Sequence, residues 1–222
     1  MRKLAIVAAL EREVRPLVST WSLSEKEHDG RQYRFFQHGQ SVLVCGGIGA
    51  VAARRASEAA VAIYEPQLVC SAGFAGALDG KLQVGDILRP RTVINSSDGS
   101  AVTVGNGEGI LISFMAVASP EQKSKLRESY GAQAVDMEAA AVARAAESRN
   151  IPFTAIKAIS DTADIDLPPM DRFVNSDGSF LEMRFAWFAA IRPWLWPQVA
   201  RLAANSRRAS HALCRELEKE IS

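Results

Sequence analysis

Residues Ala134 to Asp164 read AVDMEAAAVARAAESRNIPFTAIKAISDTAD, and this stretch decides the fold. It opens on a short apolar run that halts at two acids, Asp136 and Glu138, on either side of Met137. Ala139 to Ser148 follows, composed almost wholly of strong helix formers. Asn150 and Pro152 end it, since Asn suits a left-handed C-cap and Pro cannot continue a helix. Phe153 to Ile159 is β-branched and apolar apart from Lys157, and stops at Ser160-Asp161-Thr162-Ala163-Asp164. The spacing predicts a strand–helix–strand unit with carboxylates at the C-terminal ends of both strands. In open α/β sheets ligands bind along that edge. A lone acid there would complement a helix dipole or cap a turn. Glu138 and Asp161, at corresponding ends of neighbouring strands, read together as a site.

Outward from this unit, Leu4 to Leu10 is a continuous apolar run, as expected of a central strand buried on both faces. Glu11-Arg12-Glu13 then starts a short helix through Leu17. Trp21 to Arg31 is polar and reads as a surface loop, whereas Tyr33–Gln37 and Ser41–Cys45 read as strands about a His38-Gly39-Gln40 turn. Gly46-Gly47-Ile48-Gly49 feeds a helix from Ala50 to Tyr64, an arrangement suited to cradling an anion or ligand. It lacks both the dinucleotide glycine spacing and the phosphate-loop lysine. Gln67–Ala72 is another buried strand, followed by small residues around Phe74, where a backbone is able to approach a ligand closely. Arg89–Asn95 and Ala101–Val104 pair across a Ser96–Ser100 turn, Ile110–Val117 reads as a strand, and Ser119-Pro120 starts a helix through Tyr130. Phe114 or Met115 is placed to stack on a ring or to fill the core.

With 222 residues the chain is long enough for one substantial α/β core, and 48% hydrophobic against 23% charged residues suits a folded protein. A net charge of +1 argues against a globally basic nucleic-acid binder. Cys45, Cys70 and Cys214 are odd in number and widely spaced, which reads as reduced thiols in a cytoplasmic protein. His28, His38 and His211 show no metal-ligand spacing. Met1-Arg2-Lys3 and the apolar run after it read as a first strand and not a signal peptide. No stretch has the ~18 uncharged apolar residues that a spanning helix needs. Without repeat or linker, residues 1–222 are expected to form a single domain, with 180–222 as a helical, Trp/Arg-rich extension.

The segments VDMEAAAV and AISDTAD resemble the V-E-M-E-like and S-D-x-A-D-like motifs of the nucleoside phosphorylase and nucleosidase family, which includes methylthioadenosine/S-adenosylhomocysteine nucleosidases. The resemblance implies a three-layer α/β/α fold around a mixed, largely parallel twisted sheet. It further implies cleavage of the N-ribosidic bond of a purine nucleoside by hydrolysis or phosphorolysis. No metal or cofactor is then needed, and phosphate is the alternative co-substrate. Residue by residue, Asp161 would protonate the purine at N7, with Ser160 steadying its loop. Glu138 would bind the ribose hydroxyls, Met137 would pack on the sugar, and Glu13 would hold the attacking water. Ile48, Gly73, Phe74, Ala75 and Phe114 would line the pocket. Phe74 departs from the small polar residue common in the family, and Asn95–Leu111 is shorter than in the nucleosidases, taking away part of one pocket wall. A homo-oligomer is also implied.

After Asp164 the chain leaves that pattern for a loop from Asp166 to Ser179 with Pro168-Pro169, and then helices. Trp187, Phe188, Trp194 and Trp196 sit among arginines from Arg184 to Arg215, with no acid between Met183 and Cys214. Three readings stay open: helices packed on the sheet, a membrane-surface patch over 184–215 at the inner face, or a subunit interface. The tail is similar to the hopanoid-associated phosphorylase branch, which implies a lipid-linked adenosine such as adenosylhopane as substrate. The competing function classes are a non-catalytic purine-nucleoside sensor and a membrane-associated scaffold.

Overall fold

The computed structural model describes residues 3–105, 107–165, 167, 170–175 and 177–221. Its centre is β1 (Leu4–Ala8), buried along its whole length and paired in parallel with β4 (Ser41–Cys45) and β5 (Leu68–Ala77). Because side chains alternate along a strand, β1 feeds two cores. Leu4, Ile6 and Ala8 pack with Val14 and Leu17 of α1 (Glu11–Val18) and with Leu213 and Leu217 of α6 (Trp196–Ile221). Ala5 and Val7 face the other way, onto Ala53, Ala56 and Ala60 of α2 (Ala50–Tyr64) and Val142 and Ala146 of α4 (Ala139–Glu147). The result is the three-layer α/β/α arrangement around a mixed, largely parallel sheet. Alanines on α2 and α4 let both helices lie close to the strands.

The sheet continues from β1 through β4 to β3 (Arg31–His38) and β2 (Ser22–His28) on one side. On the other it runs through β5 to β10 (Ala134–Asp136), β9 (Ile110–Ser113), β7 (Thr92–Asn95) and β8 (Ala101–Thr103). β11 (Phe153–Asp161) also pairs with β5, and carries β6 (Ile87–Leu88) on its far side.

Several expectations need correction. The expected loop at Trp21–Arg31 is strand β2, paired in full register with β3 from Ser22↔Gln37 to His28↔Arg31. An edge strand facing water needs no apolar alternation, and the turn is made by Asp29 and Gly30, both with positive φ (47° and 72°). The Asp-Gly pair was the available signal. β10 and β11 are not neighbours either: β5 runs between them, antiparallel to β10 and parallel to β11. Asp136 and Asp161 thus meet around the end of β5, which extends well beyond the expected Ala72 through Ala77. The strand expected over Ile110–Val117 ends at Ser113. The predicted caps hold: Ser119 and Gln122 form a reciprocal capping box on α3 (Pro120–Tyr130), and Asn150 adopts a positive φ of 55°.

The tail is divided. Ala209, Leu213, Cys214 and Leu217 of α6 are core residues, so this half of the helix shares the hydrophobic core of β1 and α1. By contrast α5 (Glu182–Ala190), the 3-10 turn Pro193–Leu195 and the start of α6 leave Met183, Trp187, Trp194 and Trp196 exposed, the tryptophans at 68%, 70% and 56%. Packing of this region wholly onto the sheet is therefore corrected. The Pro168-Pro169 pair lies outside the described residues. Among the described residues no helix is long and apolar enough to cross a membrane.

Candidate active site

A cavity of about 820 Å³ opens over the C-terminal ends of β1, β5, β10 and β11. Its floor carries Glu13 from α1, Phe74 to Gly76 from β5, Met137 and Glu138 after β10, and Ser160 and Asp161 from β11. Ile48, from the glycine-rich turn before α2, closes one side, and Ala116, Val117 and Ala118 another. The outer wall is apolar: Val174, Phe180, Phe185, Val199 and Leu202, much of it from α5 and the front of α6. Arg12, Arg15, Arg207 and His211 stand around it. Three carboxyl groups distant in sequence, Glu13, Glu138 and Asp161, thus share one cleft.

Each acid is placed by a specific local device. Glu138 directly precedes α4, and its Oε1 accepts a 2.8 Å hydrogen bond from the Gly49 N–H across the cleft. The other N–H groups of that turn are also taken, Gly46 by Ala8 O, Gly47 by Ala9 O and Ile48 by Gly178 O. The turn read as an anion cradle therefore binds one of the protein's own carboxylates. Asp161 follows an irregularity in β11: Ile159 pairs with Ala75 and Asp161 with Gly76, leaving Ser160 as the extra residue of a bulge. Bulges re-aim side chains, and here both Ser160 and Asp161 reach the cavity. Ser160 Oγ donates to Asp161 Oδ1 at 2.7 Å. Gly76 is required at this spot, since a Cβ there would lie 2.9 Å from Asp161 Oδ2.

Glu13 is 6% exposed, and its Oε2 has no hydrogen-bond partner among the described residues. Burial, reinforced by the charge of Glu138, pushes its pKa up to about 8. Burial, with Asp136 adding to it, raises Glu138 to about 7. Both lie where a group changes protonation near neutrality, as acid–base chemistry requires.

Two lysines under the site were not anticipated in these roles. Lys157 interrupts the apolar run of β11, and it pairs with Asp136 at 2.8 Å with both side chains almost fully buried. Burial alone would lower its pKa; Asp136 and Glu138 outweigh that and hold it above the ordinary lysine value. Asp136 is thus spent on Lys157 and on the N–H of Ala139 and the hydroxyl of Ser113, all within 2.8 Å. The second is Lys123 of α3, 2.5 Å from Asp161 Oδ2 and 2.8 Å from Thr162 O. A lone charge inside an apolar strand needs a counter-charge, so Lys157 was findable; α3 reads as an ordinary polar helix, and Lys123 was not.

Two expected lining residues lie elsewhere. Phe114 packs in the cluster of Leu78, Ile112, Leu126 and Val135, and is not on the cavity wall. Strand β9 ends one residue before it, and the Phe114 N–H is tied to Asp136 O at 2.8 Å. Gly73 lies behind Glu13, where a Cβ would approach Glu13 Oε2 to 3.0 Å. Ile48, Phe74, Ala75, Met137 and Ser160 are on the wall as expected.

The mixed sheet thus gathers its strand ends, and with them buried acids, around one cleft. The family model for the phosphorylase superfamily matches residues 3–117 and 112–177, and the chain belongs to that superfamily. A 5'-methylthioadenosine/S-adenosylhomocysteine nucleosidase of Staphylococcus aureus is 27% identical over 157 residues, spanning 55% of this chain and 69% of the relative. The crystal structure of such a nucleosidase from Colwellia psychrerythraea, in complex with adenine, superposes with a TM-score of 0.66 at 25% identity, covering 73% of this chain and 84% of that one. A Helicobacter pylori nucleosidase reaches a TM-score of 0.74 at 17% identity over 99% and 97% of the two chains, a likeness of fold.

Proposed function

We propose that the chain hydrolyses the N-ribosidic bond of a 5′-substituted adenosine, releasing adenine. The observation that carries this reading is the convergence of Glu13, Glu138 and Asp161 on one cleft of about 820 Å³. Cleaving the bond builds positive charge on the sugar and negative charge on the departing purine. Asp161 delivers a proton to N7, which removes the charge from the leaving group, and Ser160 fixes its orientation. Glu138 accepts from the ribose hydroxyls and Met137 covers the sugar face. Glu13, which has a buried oxygen without a hydrogen-bond partner among the described residues, holds and deprotonates water.

Water is favoured over phosphate as nucleophile by the turn at 46–49, whose N–H groups are already bonded within the chain and so are not open to a phosphate. The test is incubation with 5′-substituted adenosines, with and without phosphate. Free adenine and free pentose at a rate indifferent to phosphate are expected. Pentose 1-phosphate appearing only with phosphate would replace hydrolysis by phosphorolysis, and no adenine release at all would remove the enzymatic reading.

The apolar outer wall supports a long apolar 5′ substituent, of the lipid-linked kind exemplified by adenosylhopane. The face of that wall turned outward carries exposed Trp187, Trp194 and Trp196 among arginines, which supports contact with an anionic bilayer. Sedimentation with vesicles of anionic and of zwitterionic lipid tests this. Retention on the anionic ones alone is expected; no retention, together with a concentration-dependent dimer, would assign the face to subunit contact instead.

A further inference from the structure

We infer that Lys123 supplies the proton that Asp161 passes to the departing purine. The inference rests on the reading of Asp161 as the leaving-group acid. Lys123 is 2% exposed, and its Nζ lies 2.5 Å from Asp161 Oδ2. In such an ion pair the carboxylate has no proton of its own to give; the ammonium does. Two of the three ammonium donors are used, by Asp161 and by Thr162 O at 2.8 Å. These contacts fix the amine on the side of the carboxylate away from Ser160, which holds the other oxygen at 2.7 Å. Gly76 clears the space for the pair, since a Cβ there would come within 3.4 Å of Lys123 Cε.

Comparison with the second buried lysine separates this role from an architectural one. Lys157 is not on the cavity wall, although its partner Asp136 is, whereas Lys123 and Asp161 both are. Among the described residues, Asp164, in the turn after β11 and bonded to Thr162 Oγ1, also feels the charge of Lys123, and Arg127, one turn further along α3, pairs with Asp79. In the step, the electrons of the N9–C1′ bond leave with the purine. A proton moves from Nζ to Asp161 and from Asp161 to N7. Water forms the new bond to C1′ and gives its proton to Glu13. Solvent then reloads the amine and takes the proton from Glu13 as products leave. Lys123 acts through Asp161 and is a positioning and proton-supplying residue.

The test compares two leaving groups. Adenine needs protonation to depart, whereas 4-nitrophenolate does not. For Lys123→Met, kcat/KM on a 5′-substituted adenosine is expected to fall by about 10²-fold or more, and on 4-nitrophenyl riboside to stay within about threefold of wild type. Equal losses on both substrates, or full activity on both, would overturn the assignment. A measurement on the unaltered chain guards against a variant that does not fold. In mixtures of light and heavy water, the ratio of adenosine to nitrophenyl riboside turnover should fall along a curve with the deuterium fraction, as two protons in flight from Lys123 through Asp161 to N7 require. A straight line, the mark of one proton, would overturn the inference, and a wild-type chain inactive on both substrates would overturn the glycosidic reading with it.

Discussion

Asp161→Asn is expected to lower kcat/KM for adenine release by about 10²- to 10⁴-fold, the usual worth of a positioned general acid. The amide is isosteric with the carboxyl, so the bulge at Ser160 and the clearance over Gly76 are kept. On the proposed mechanism, what is lost is the group through which a proton reaches N7. The substitution also leaves the Lys123 ammonium facing a neutral partner at a nearly closed site, so some loss of thermal stability accompanies the kinetic effect. Circular dichroism and adenine binding establish that the variant is folded. A folded Asn variant turning over at near wild-type rate would remove Asp161 from the chemistry.

Glu13→Gln is the second large effect, about 10²-fold or more if the nucleophile is water that has to be deprotonated, and mild if a phosphate anion attacks. With a pKa of about 8, roughly a tenth of Glu13 is ionised at pH 7, so kcat/KM of the wild type should climb through about pH 8 while that of the variant does not. The same shift has a stability consequence with a definite sign. The folded value lies above the ordinary 4.5, so between the two the native chain retains a proton that the unfolded chain has released. The stability this group contributes is full below about 4.5 and lost as the pH rises through about 8. Glutamine cannot ionise. The difference in Tm between variant and wild type should therefore move in the variant's favour from about pH 5 to pH 9. A constant difference would mean that Glu13 is not held protonated by its surroundings.

The legible parts of the chain were those where local chemistry and tertiary role agree. The all-apolar run of β1, the Ser119-Pro120 start of α3 and the alanine run of α4 each specify their element without outside help. Strand β2 was missed because its stability comes from main-chain pairing at a sheet edge, which leaves no apolar imprint on the sequence. For the site, the two short motifs and the acid-rich start of α1 were enough to select Glu13, Glu138 and Asp161. They could not say what those groups touch. That Glu138 reaches the Gly49 N–H, 89 positions away, or that Lys123 meets Asp161, depends on how distant elements pack. Phe114 illustrates the converse: an aromatic beside a strand end looks the same in sequence whether it faces a ligand or the core, and here the end of β9 turns it to the core.

The way α6 is anchored separates two kinds of change in this molecule. From Ala209 onward its residues interlock with β1 and α1, and any substitution there disturbs the scaffold under the acids. The preceding turns, with α5, only roof the cleft, through Phe185, Val199 and Leu202. Mutations in the roof reshape what the cleft accommodates without shifting the carboxyl groups beneath it. A lineage carrying this architecture is therefore free to retune its choice of substrate while its bond-breaking apparatus stays as it was.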